Sequence, residues 1–156
     1  LIFCLVSCDI CFCTTSFLAM LYKIIIFYHP KLYMKDLIIS AVLLVLIDSL
    51  YLSSIKGFFD KQVMSVQKSP LQVDLLAAIL CYLVLIIGLY YFIISKKKPV
   101  YEAFLLGFVI YMVFELTNKA ILKNWKWNTV LLDGIWGGIL FATTTFITYK
   151  LYRLLD

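Results

Sequence analysis

Three carboxylates, Asp48, Glu115 and Asp133, each stand inside an otherwise long apolar run. A charge at the centre of a bilayer costs ~2.5 to 3.5 kcal/mol even on lenient insertion scales, so it normally faces a partner, water or a helix-bundle interior. Such acids can bind a cation or a small polar ligand, act as a general acid and base pair, or accept hydrogen bonds that hold helices together. Helical spacing places Tyr51 at i+3 from Asp48, Asn118 and Lys119 at i+3 and i+4 from Glu115, and Trp136 and Gly137 at i+3 and i+4 from Asp133. Asp48, Tyr51, Glu115, Asn118, Asp133 and Trp136 therefore form the candidate polar site. No catalytic, cofactor-binding or metal-ligating residue is assigned, because no nucleophile motif, metal-ligand set or cofactor loop accompanies the acids. Cys8-x-x-Cys11 has the spacing of a thiol pair, but no second pair follows and the only histidine is His29. A structural zinc site needs four ligands at set spacings.

The elements that carry the acids follow from composition. Of 156 residues 64% are hydrophobic and 15% charged, and the mean hydropathy is +1.00. A soluble domain is roughly half apolar and about a quarter charged, so this chain belongs in lipid. The net charge of +5 comes from short lysine clusters at the ends of apolar runs, a membrane pattern and not a nucleic-acid footprint. Four runs approach the ~20 residues that a spanning helix needs: Leu37 to Ile55, Leu75 to Ser95, Val100 to Leu122 around an inner Ala103 to Thr117, and Thr129 to Tyr149. None alternates like a barrel strand. Lys56 to Asp74 reads as a solvated loop, Ser95 to Val100 as a tight hairpin, and Lys123 to Asn128 as a link whose two tryptophans suit an interfacial belt. Short links make successive helices antiparallel neighbours, which gives an all-α, multi-pass integral membrane four-helix bundle, up-down-up-down, surrounded by membrane lipid.

Depth then relates the acids. From the side that holds Met34, the Lys96 to Lys98 hairpin and the carboxyl terminus (side A), Asp48 lies about 16 Å down its helix and Glu115 about 18 Å down a parallel one. Asp133 lies about 6 Å in from the opposite side B, so all three fall in the B-side half. Each has a plainer use. Glu115 pairs with Lys119 on one helix face, and Asp133 serves as first-turn charge at a helix amino terminus. Asp48 has no basic residue in its own span and must find a donor on another helix or hold a proton. Gly134-x-x-x-Gly138 marks close helix contact inside the bundle or a homo-oligomer seam. At least two of Thr143, Thr144, Thr145 and Thr148 are expected to bond only to their own helix carbonyls.

Residues 1–33 differ from this plan. Four of the five cysteines fall there, and Met34-Lys35-Asp36 just before the first span reads as a natural start. Residues 1–33 are thus an apolar, Cys-rich leader outside the domain of residues 34–156, with Thr15 to Tyr28 apolar enough for an interfacial segment or a short extra helix.

The strings Ile47-Asp48-Ser49-Leu50-Tyr51-Leu52, Phe114-Glu115-Leu116-Thr117-Asn118-Lys119-Ala120, Leu122-Lys123-Asn124-Trp125 and Asp133-Gly134-Ile135-Trp136-Gly137 resemble, in order and spacing, a family of small predicted membrane proteins, domain of unknown function 2177. The resemblance runs from Met34 to about Tyr152, with Glu115 in place of an aspartate, Phe114 of a tyrosine and Tyr51 of a tryptophan. It implies a four-helix integral membrane protein and a leader outside the domain. Three functions fit the acids: binding of a small polar or amphipathic ligand or cation, a structural role in an accessory or assembly protein, and modification of a lipid as an enzyme.

Overall fold

The computed structural model describes residues 30–155, so the Cys8 and Cys11 pair and the segment Thr15 to Tyr28 lie outside the described residues. Four helices follow one another: α1 (Pro30–Gln67), α2 (Leu75–Leu89, continued by a π-helical turn Tyr90–Ile94), α3 (Val100–Ile121) and α4 (Trp127–Leu155). Each is long and apolar enough to cross a membrane.

Helix α1 corrects the expected loop from Lys56 to Asp74. It has 38 residues, about 57 Å at ~1.5 Å per residue, against a ~30 Å hydrocarbon layer. Its last turns therefore project beyond the layer on side B, and only residues 68–74 form the link to α2. One glycine costs a helix only about 1 kcal/mol, so Gly57 does not stop it. Tertiary bonds hold the projection in place. The buried Gln62 donates from Nε2 to the Asn124 carbonyl at 3.0 Å and accepts from Thr129 Oγ1 at 3.3 Å, while Asn124 Nδ2 donates to the Ser65 carbonyl at 3.3 Å. Lys68, at φ 57°, ends the helix, and Asp74 caps α2 by accepting from the amides of Leu76 and Ala77.

The other boundaries lie close to the apolar runs. On side A, Pro99 stands in an extended conformation just before α3, and the Tyr149 hydroxyl donates to the Lys98 carbonyl at 2.8 Å. That bond fastens the α2–α3 hairpin to α4.

Helices α3 and α4 pack backbone to backbone, antiparallel: Phe104 lies on Gly138, Tyr111 on Gly137 and Met112 on Gly134. A side chain built on Gly107 would come within 2.1 Å of the Gly137 carbonyl oxygen. Gly134 and Gly138 thus make the close helix contact inside the bundle that their spacing allows. The apolar core (Leu44, Leu89, Ile93, Ile94, Ala103, Leu140 and Phe141) gathers side chains from all four helices. Outside it, Ile38, Val42, Leu46, Leu50, Leu76, Leu80 and Val84 are exposed, as befits surfaces that meet acyl chains. On that outer face of α1, Ser49, Ser53 and Ser54 give their hydroxyls to carbonyls one turn back, which satisfies them without water. Of the four threonines, Thr148 bonds to its own helix at 2.8 Å. Thr144 and Thr145 are fully buried, and their hydroxyls meet no acceptor among the described residues, not even a carbonyl of their own helix.

Candidate functional site

Asp48 is buried on the inner face of α1, and its two oxygens are taken by donors from two other helices. The Tyr82 hydroxyl of α2 donates to Oδ2 at 2.7 Å, and Trp136 Nε1 of α4 donates to Oδ1 at 2.9 Å. One carboxylate therefore joins three helices.

One turn further along α1, Tyr51 stacks flat on Trp136, with centroids 3.9 Å apart and planes 8° from parallel. The Tyr51 hydroxyl donates to Asp133 Oδ1 at 3.4 Å, the longest of these carboxylate bonds. Asp48 and Asp133 thus sit at opposite ends of one aromatic pair, each holding one ring by its polar atom. The i+3 spacing read from sequence puts each ring on its acid's own helix face; in the structure each ring serves the acid of the other helix.

Glu115, 1% exposed, accepts from Trp125 Nε1 at 2.7 Å. Trp125 comes from the α3–α4 loop and is buried, so of the two tryptophans expected at the interface only Trp127 is exposed. Lys119 does not pair with Glu115; its Nζ donates to the Trp125 carbonyl. Nor is Asp133 a first-turn charge: α4 begins at Trp127, six residues earlier, and Asp133 is buried within the bundle. Asp48 and Asp133 are linked through the Tyr51–Trp136 pair, whereas Glu115 bonds to Trp125. Asn118 is half-buried one turn beyond Glu115, and its amide makes no hydrogen bond to any of the three. Among the described residues no group of three acids, cysteines or histidines is placed to hold a metal ion.

Tyr82, Trp125 and Gln62 were not singled out from sequence. For Tyr82 the signal was its hydroxyl near the middle of an uncharged span, where a tyrosine usually needs a partner. For Trp125 the belt pattern was a competing signal and it pointed the other way.

The Tyr51–Trp136 pair also faces outward. With Leu131, Leu132, Ile135 and Ile139 of α4 it walls an open groove of about 370 Å³ along the α1–α4 seam, and Asn128 closes its side B end. An apolar groove with a few fixed polar or aromatic groups is a common form of ligand site.

Comparison with known proteins gives the family. Residues 33–150 match the family described as Predicted membrane protein (DUF2177). No curated protein and no solved structure matches the chain. With four spanning helices and a family match over most of its length, the chain belongs to DUF2177, a family of predicted membrane proteins.

Proposed function

We propose that this integral membrane protein holds an amphipathic molecule in the groove between α1 and α4, and that Asp48 and Asp133 act by fixing the aromatic wall of that groove. The observation that carries the reading is the Tyr51–Trp136 stack. Its polar atoms are anchored on two buried carboxylates, and its rings line the groove. A wall that only met bulk lipid could be built of leucine and isoleucine, with no acid to bury. Placing two acids behind it costs several kcal/mol, which is explained if the position of those rings matters to what lies against them. The lining is almost wholly apolar, so the occupant enters sideways from the bilayer.

A second reading, an accessory or assembly protein whose acids are purely structural, is favoured by Asp48 and Glu115. Asp48 has both oxygens satisfied by protein donors, and Glu115 is closed off by Trp125. The two readings separate in thermal unfolding of the purified protein with lysophosphatidylcholine added as probe. Groove binding predicts a saturable rise in Tm that Ile135→Phe abolishes while its own Tm stays near wild type, and that Asp48→Asn weakens. No rise, or one that Ile135→Phe leaves intact, contradicts groove binding and leaves the structural reading.

A further inference from the structure

The α3–α4 loop opens into a second hollow, of about 610 Å³, walled by Lys119, Lys126, Asn124, Asn128, Trp125 and Trp127. Asn128 also lines the α1–α4 groove, so a basic hollow and an apolar one meet at a shared residue. We infer that together they hold one anionic phospholipid, with its phosphate in the loop hollow and one acyl chain along Leu131, Ile135 and Ile139. The inference rests on the groove reading above and names the chemistry of its ligand.

Charge gives the first argument. Among the described residues neither Lys119 nor Lys126 forms an ion pair, and the acid one turn before Lys119, Glu115, is occupied by the Trp125 indole. The Lys119 amine is instead held by a backbone carbonyl and lies 5.6 Å over the Trp127 ring. A carbonyl dipole and an aromatic face orient the ammonium without neutralising it. Two uncompensated ammonium groups in one hollow suit a phosphate, which a lysine binds as a point charge.

Length and position give the second. From Asn128 to Ile139 the groove wall spans 11 residues, about 16 Å of helix, or half of the ~30 Å hydrocarbon layer. One chain of one leaflet therefore fills it without reaching the other leaflet. The hollow stands at the side B end of α3 and α4, where exposed Trp127 marks headgroup depth. A phosphate placed there puts its acyl chain in the groove.

Native mass spectrometry of the full chain in detergent tests this with phosphatidylglycerol, phosphatidylcholine of the same chains, and glycerol 3-phosphate. Phosphatidylglycerol should be retained over phosphatidylcholine. Lys126→Gln should weaken its retention about fivefold, the effect of one lysine near an anionic headgroup. Lys123→Gln, which removes the same charge from a lysine outside the hollow, should change it by less than about twofold. Equal loss in Lys123→Gln and Lys126→Gln would reduce the effect to surface charge and overturn the inference. Displacement of the lipid by millimolar glycerol 3-phosphate would overturn it in favour of a free anion. If both lipids are retained equally and both are lost in Ile135→Phe, the headgroup assignment fails and the groove stands. If neither lipid is retained, both fail.

Discussion

Helices α3 and α4 touch through glycine, whereas α1 is joined to its neighbours largely through side-chain hydrogen bonds. At the first interface Gly107 meets the Gly137 backbone, and Phe104, Tyr111 and Met112 fill the spaces over three glycines. At the second, Asp48 takes donors from α2 and α4, Asp133 takes one from α1, and Gln62 ties the projecting end of α1 to the α3–α4 loop. Lipid tails are as apolar as leucine, so burying leucine between helices gains little in a bilayer. What remains is close shape fit or polar bonding, and this molecule uses one at each interface. The polar interface leaves room beside it for a groove; the glycine interface leaves none.

The largest effect that separates the two interfaces is expected at Gly107. Gly107→Leu drives a side chain into the Gly137 carbonyl and should cost about 3 kcal/mol or more, since neither backbone can yield without parting the helices. Equilibrium unfolding in a mixed micelle reads this directly, and a cost under about 1 kcal/mol would deny the close contact. Next comes Asp48→Ala, which strands the Tyr82 and Trp136 donors together and should cost about 1 to 3 kcal/mol by the same assay. A double-mutant cycle with Tyr82→Phe should return a coupling of about 1 kcal/mol, and zero coupling would mean that the tether is not formed. Tyr51→Phe removes only the 3.4 Å bond and keeps the stack, so a loss of roughly 0.5 kcal/mol is expected. Gly88→Ala is the smallest. No described residue lies within 4 Å of a side chain built there, and helix propensity should give a gain of up to about 1 kcal/mol. A loss at Gly88 would show that α2 is packed more tightly than the comparison requires.

Much of the bundle could be read from run lengths alone, because a spanning helix needs so many consecutive apolar residues that the four runs leave little choice. The end of α1 could not. Lys56, Gly57, Asp60 and Lys61 have the composition of a solvated loop, and they remain helical because Gln62 and Ser65 find partners in a loop some 60 residues away. The burial of all three acids was legible, since a carboxylate inside an apolar run must turn toward the bundle. Their partners were less so. Spacing named Tyr51 and Trp136 but assigned each to its own helix, and the exchange between α1 and α4 depends on how those helices turn against each other. Trp125 lies in a string that reads equally as an interfacial belt, and only the burial of Glu115 beside it decides its direction.

The proposed role of the Tyr51–Trp136 wall is to hold an acyl chain. Tryptophan emission in a Trp127→Phe background, which leaves buried Trp125 and groove-facing Trp136, tests it when phosphatidylglycerol with brominated chains is titrated into the detergent-solubilised protein. Groove binding predicts quenching that saturates near one lipid per protein, vanishes when Trp136→Phe is added, and is abolished by Ile135→Phe. Quenching that climbs in proportion to the brominated lipid without a plateau, unaltered by Ile135→Phe, would contradict it.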